Sequence, residues 1–188
     1  MSDEYFMKMA FQEAELAFAK GEVPVGAVVV SRGKIIARAH NLTEQLNDVT
    51  AHAEMQAITA AANHLGGKYL DKCTLYVTLE PCGMCAGALY WSQIEKVVFG
   101  ASDQKRGFHS INPNMIHPKT EILSKPIPTD DLAKLPFQTS LRMGIEEYIS
   151  IAVDLQKEKD DSYVPTYGEI LENFVTMQNH SNRTRCSE

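Results

Sequence analysis

No stretch of the chain comes near the roughly 18 consecutive apolar residues that a membrane-spanning helix needs. The opening residues, Met1-Ser2-Asp3-Glu4, are acidic and lack the basic start and apolar core of a secretory signal. Only four cysteines are present, and without an export signal they suit metal ligands and free thiols better than disulfides. Internal repeats and low-complexity tracts are absent. These absences point to a cytoplasmic protein with no membrane partner. Positive charge is also in deficit: the net charge is −6, which argues against broad electrostatic binding of nucleic acid. The deficit is uneven, because residues 1–125 carry 12 Lys and Arg against 13 Asp and Glu, and residues 126–188 carry 6 against 11. Within 101–125, Lys105, Arg106, Lys119 and Lys125 outnumber Asp103 and Glu121, with His109 and His117 alongside. A local basic edge and an ordinary solvated surface are both consistent with that stretch.

What is present is ordinary globular material, 44% hydrophobic and 22% charged over 188 residues, enough for one sizeable domain and a small appendage. Residues 3–20 have the apolar stripe of a helix (Phe6, Met9, Ala10, Phe11, Ala14, Ala17, Phe18), with Asp3 as a candidate cap and Gly21 after the last turn. Val25 to Val30 is a nearly continuous apolar run suited to a buried strand. Ser31-Arg32-Gly33 has turn chemistry, and Lys34 to Ala39 can return as a hairpin. After a polar loop, Ala51 to Leu65 is alanine-rich and helical, stopped by Gly66-Gly67. Cys73 to Leu79 reads as a strand, Cys82 to Ser92 as a helix and Lys96 to Gly100 as a further strand. Helices alternating with strands after a hairpin imply an α/β fold, a mixed sheet with helices on its faces. Residues 101–120 look like a long connection, 124–138 like a proline-containing linker, 140–159 and 167–178 like helices, and the polar end like a disordered tail.

Two short pieces carry the chemistry: His52-Ala53-Glu54 and Pro81-Cys82-Gly83-Met84-Cys85. Cysteine and neutral imidazole are tetrahedral Zn²⁺ donors, and three protein ligands leave a fourth position for water. Cys82 and Cys85, at i and i+3, share one helix face. In the first turn, exposed N–H groups and the helix dipole favour thiolate over thiol. Pro81 suits the start of that helix. A Cys-x-x-Cys alone could instead be a redox pair or half of a zinc knuckle, but neither Cys73 nor Cys186 supplies the second pair a knuckle needs. His52 by itself reads as a packed histidine and Glu54 as an acid favoured near a helix start. Their pairing ahead of Pro-Cys-x-x-Cys matches the signature of zinc nucleobase deaminases, with His52, Cys82 and Cys85 as ligands and Glu54 as proton shuttle.

Residues 1 to about 123 resemble the bacterial tRNA adenosine deaminases of the cytidine-deaminase-like superfamily. The resemblance lies in Val23-Pro24-Val25-Gly26-Ala27-Val28, Thr50 to Glu54, Thr78 to Ala88, and Phe99-Gly100-Ala101-x-Asp103. It implies a three-layer α/β/α fold, a Zn²⁺ cofactor, hydrolysis of the wobble adenosine of a tRNA anticodon to inosine, and a homodimer. It also implies roles for single residues. Asn41 matches an asparagine that contacts the target base, and Asp103 an aspartate that contacts the RNA backbone. Lys105 could meet phosphate, and Pro24 and Val25 would line the base pocket. Without the resemblance Asn41 reads as a turn residue and Asp103 as an Asx turn or an ordinary surface acid.

The expected division is a deaminase domain over 1–123 and a divergent, helical C-terminal extension over 124–188. That extension is acidic and lacks the cations that phosphate contacts need. Two other functions compete: deamination of a free base or nucleoside such as guanine or cytosine, and a catalytically silent partner subunit. An intact Glu54 counts against the latter.

Overall fold

The computed structural model describes residues 2–125 other than Gln104, so the expected helices at 140–159 and 167–178 lie outside the described residues. The order of elements is α1 (Asp3–Ala19), β1 (Gly26–Ser31), β2 (Lys34–His40), α2 (Ala53–Leu65), β3 (Cys73–Leu79), α3 (Gly83–Ser92), β4 (Lys96–Ala101), α4 (Phe108–Ile111), a 3₁₀ turn (Pro113–Met115) and β5 (Glu121–Ser124). Three helices and four strands stand within two residues of their sequence expectation. The connection read over 101–120 holds α4 and the 3₁₀ turn, and the fifth strand was not expected. Only Ile122 and Leu123 of β5 are apolar, and two such residues make no pattern by themselves.

The strands form one mixed sheet in the order β2-β1-β3-β4-β5. The β1–β2 and β1–β3 pairs are antiparallel, and the β3–β4 and β4–β5 pairs are parallel. Arg32 (φ 50°) and Gly33 (φ 73°) both take positive φ, as a two-residue type I′ hairpin between Ser31 and Lys34 requires. A bulge between Val29 and Val30 shifts the register of β2.

Side chains alternate between two apolar layers, which gives the three-layer α/β/α arrangement. Ala27, Val29, Leu75, Val77, Val97 and Phe99 pack with Ala53, Ala57 and Ala61 of α2 and Ala86 and Leu89 of α3. The opposite face receives α1, where the Phe6 ring lies 5.1 Å from that of Tyr76. At Gly26 a Cβ would run into the backbone of Ala10 and Ala14, so glycine lets α1 sit directly on β1. Val28 and Val29 are completely buried, each worth about 1.5–3 kcal/mol of apolar burial.

Asp3 does not cap α1. Ser2 does, accepting the Tyr5 N–H through Oγ, while Asp3 accepts the Tyr76 hydroxyl at 2.8 Å and pairs with Lys125 at 3.1 Å. Among the described residues no helix is long and apolar enough to cross a membrane.

The register brings one set of chain segments to one sheet edge. Gly26 stands opposite His40, Ala27 opposite Val77, and Leu79 beside Ala101. The start of β1, the end of β2, and the ends of β3 and β4 therefore meet there. Pro24, Val25, Asn41, Cys82 and Asp103 all adjoin those strand ends.

Candidate metal centre

His52 and Cys82 occupy equivalent places. Each is the N-cap of its helix, with extended backbone (φ −68°, ψ 153° and φ −71°, ψ 173°) and no side-chain capping bond. Helix α2 starts two residues later than its alanine content implies, and Pro81 precedes the N-cap instead of opening the helix. An N-cap side chain that does not fold back onto its own helix is available to a ligand. The orphan Ala53 N–H is satisfied from elsewhere, by Asn41 Oδ1 at 2.9 Å. Asn41 is itself tied to β1 through its N–H to the Val25 carbonyl at 3.1 Å.

His52 Nδ1 lies 3.7 Å from Cys82 Sγ and 3.6 Å from Cys85 Sγ. All three donor atoms fall within 4.8 Å of one another. Sulfur at about 2.3 Å and nitrogen at about 2.0–2.1 Å from a tetrahedral ion stand roughly 3.5–3.8 Å apart. The donor set and its spacing therefore fit Zn²⁺.

The two sulfurs push each other's proton affinity in opposite directions. A hydrogen bond from Cys85 pulls Cys82 down to about 4, against the effect of burial and with help from His52. Cys85 is pushed up in turn, by that same bond and by burial. The His52 imidazolium is favoured by its bond to Cys82, opposed by burial, favoured again by the charges of Glu54 and Cys82, and opposed by the nearby Arg106 guanidinium. Glu54, 4% exposed, is held up mainly by desolvation, while its contact with the Cys85 thiol acts the other way. A buried carboxylate against a metal-donor sulfur, with raised proton affinity, is suited to taking and returning protons.

The other expected site residues divide by surroundings. Pro24 and Val25 are buried at the start of β1. Asn41 is buried with its side-chain oxygen engaged by Ala53, and its amide N–H groups have no hydrogen bond among the described residues. Asp103 forms the Asx turn, its Oδ1 accepting the N–H groups of Lys105 and Arg106 at 2.9 Å each. Lys105 is exposed.

Two acids escaped the sequence reading. Glu22 is fully buried and accepts the Gln45 N–H at 2.9 Å, the Glu44 N–H at 3.1 Å and the Thr43 hydroxyl at 3.0 Å, pinning the loop that follows Asn41. Glu80 is 5% exposed and accepts N–H groups of Asp103 and His109. Their one sequence signal is an acid set directly against apolar and proline neighbours, in Glu22-Val23-Pro24 and Leu79-Glu80-Pro81.

Comparison with known proteins agrees with this geometry. Residues 1–101 match the family profile of the cytidine and deoxycytidylate deaminase zinc-binding region. A tRNA-specific adenosine deaminase of Aquifex aeolicus is 60% identical over 107 residues, covering 57% of this chain and 71% of that one. A tRNA-specific adenosine deaminase of Streptococcus pyogenes is 38% identical over 164 residues, 85% of this chain and 94% of that one. The latter alignment is longer than residues 1–123 alone can supply. Among solved structures, one from a study of A-to-I editing by tRNA:A34 deaminases at the wobble position is 43% identical, with a TM-score of 0.61 over 65% of this chain and 92% of that one. A guanine deaminase of Bacillus subtilis is also 43% identical, with a TM-score of 0.52 over 54% of this chain and 66% of that one. Motif, metal geometry and relatives agree, and the chain belongs to the zinc-binding cytidine and deoxycytidylate deaminase family, within its tRNA-specific adenosine deaminases.

Proposed function

We propose that the protein converts the wobble adenosine of a tRNA anticodon to inosine by hydrolytic deamination, releasing ammonia. The observation that carries this reading is Glu54, buried against Cys85, one of three side chains whose donor atoms cluster as a zinc donor set. His52, Cys82 and Cys85 would hold Zn²⁺, which when bound polarises water and lowers its pKa towards neutrality.

The chain's own groups do the rest. Glu54 accepts a proton from the attacking water as its oxygen adds to C6 of the adenine. It passes that proton to the ring nitrogen, then takes the remaining proton from the new C6 hydroxyl and delivers it to the departing amine, and so ends the turnover ionised as it began. Pro24 and Val25 offer an apolar wall to an extruded base, and the free amide of Asn41 can donate to a purine ring nitrogen. Asp103 and Lys105 are the residues we assign to the RNA backbone, Lys105 as a cation for phosphate.

The catalytic domain occupies residues 1–123, with 124–188 as an extension, and the enzyme acts in the cytoplasm. A homodimer is the assembly we favour, because Trp91 (79% exposed) and Ile111 (56%) leave apolar surface near α3. Light scattering of the wild type and of Trp91→Arg tests this: the first is expected to be dimeric and the second monomeric.

Substrate identity is tested by incubating the protein with an anticodon stem-loop bearing a wobble adenosine, and separately with free guanine, cytosine and adenosine. Inosine in the RNA, with ammonia in equal amount, is expected. Ammonia from guanine with no inosine in RNA would transfer the assignment to a free-base deaminase, a reading favoured by the 43% identity to the B. subtilis guanine deaminase. No ammonia from any of them would leave a silent partner subunit.

A further inference from the structure

Glu80 belongs to neither the donor set nor the proton shuttle, yet it is one of the most heavily used side chains near them. Oε2 accepts the Asp103 N–H at 3.1 Å, and Oε1 accepts both the His109 N–H at 3.0 Å and His109 Nδ1 at 2.9 Å. The Pro81 carbonyl accepts the Phe108 N–H at 3.0 Å, and Cys82 forms an isolated antiparallel bridge with Gly107. A Cβ on Gly107 would run into the Glu80 carboxyl and the Asp103 carbonyl, so the segment closes on Glu80 only because that position is glycine. Residues 80–82, which end in a metal ligand, are thus stitched to 103–109 along their whole length.

That stitched segment displays cations. Arg106 is exposed, and its backbone N–H donates to Asp103 Oδ1 at 2.9 Å. The His109 side chain is 49% exposed. Its Nδ1 is committed to Glu80, and Nε2 has no hydrogen-bond partner among the described residues. The His109 ring held this way loses little freedom when it meets an anion, and the Arg106 backbone is pinned beside it, the next residue, Gly107, being bridged to Cys82.

We propose that Arg106 and His109 form a phosphate-binding edge beside the metal ligands, and that Glu80 is the positioning residue that fixes this edge relative to Cys82. The inference rests on an RNA substrate and adds where its backbone is gripped.

The test measures Kd for the anticodon stem-loop over a salt series, together with KM, kcat and zinc content, for the wild type, Arg106→Gln, His109→Gln, Glu80→Gln and the Glu80→Gln/Arg106→Gln double variant. Arg106→Gln and His109→Gln are each expected to raise Kd and KM about fivefold to tenfold, with kcat within about twofold. Arg106→Gln should also reduce the slope of log Kd against log salt by about 0.7. Glu80→Gln should raise KM comparably while keeping its zinc. Adding Arg106→Gln to it should cost less than about twofold more, because a cation already displaced has little left to lose.

Unchanged Kd and salt slope in both the Arg106 and His109 variants would overturn the phosphate edge. Losses that multiply in the double variant would overturn the positioning role of Glu80. Arg106 is exposed, so its variant decides the first point even if Glu80→Gln folds poorly. Wild-type protein that binds the RNA without forming inosine would sink the proposed reaction, while the Kd measurements would still decide this inference.

Discussion

The starts of α2 and α3 do the same job by different means. Both open on a metal donor at the N-cap, in extended backbone, with no side-chain capping bond of its own. At α3 the arrangement is local: the second donor lies three residues on, within the first turn of the same helix. At α2 it is long-range. The cap comes from Asn41, twelve residues before Ala53, on a loop pinned by the buried Glu22. One half of the centre is therefore built by helix geometry, and the other half by tertiary contacts that could fail separately.

The sharpest way to separate the halves is to remove one group from each. Cys82→Ser and Glu54→Gln are both expected to reduce turnover by about 10³-fold or more. Elemental analysis should find zinc lost from the first and retained by the second. If Glu54→Gln kept substantial activity, the proton shuttle would have to be some other group.

Chelation probes the link between the halves, since the ion would join two helix starts. Stripping zinc from the wild type is expected to cost roughly 3–5 kcal/mol of stability, read as a fall in thermal midpoint. Cys82→Ser should melt near the stripped value and ignore the chelator. A chelator-insensitive wild type would mean that the halves are held together without metal.

Asn41 tests the long-range half by itself. Asn41→Ala removes the acceptor for the Ala53 N–H and is expected to cost about 1–2 kcal/mol. Asn41→Asp keeps the acceptor and loses the amide donor. It should stay within about 0.5 kcal/mol of wild type and still lose at least about tenfold in kcat/KM. Equal instability of the two variants would show that the oxygen is not what holds the start of α2.

The local half should tolerate a change at its first helical residue. A Cβ on Gly83 meets only side-chain ends, Met115 Cε at 3.2 Å and Ile111 Cδ1 at 3.5 Å, so Gly83→Ala is expected within about 0.5 kcal/mol of wild type. A larger loss would mean that α3 is packed more tightly at its start than this geometry allows.

How much of this was legible in the chain varies with the range of the forces involved. Apolar periodicity marked α1, the alanine content marked α2, and Ser31-Arg32-Gly33 marked the hairpin, because each is a local preference summed over neighbours. The short β5 has only two apolar residues and exists because Lys96 to Phe99 offer it a parallel edge. Ser2 outcompeted Asp3 as a cap once Tyr76, Lys96 and Lys125 claimed the aspartate. Glu22 and Glu80 looked like loop acids in sequence, and only folding supplies the N–H groups that make them buried anchors.

The sequence by itself determined that two sulfurs would stand three residues apart at one helix start, Cys82 at its N-cap and Cys85 in its first turn. It also determined, through residue type, that zinc would be the ion they suit. That His52 Nδ1 falls within 3.7 Å of both sulfurs was decided by tertiary structure. So was the burial of Glu54 against Cys85 and the gathering of Asn41 and Asp103 at one sheet edge. Those distances follow from the β1–β3 and β3–β4 registers and from packing α2 and α3 on one face, terms that join residues tens of positions apart and leave no trace in any short window of the chain.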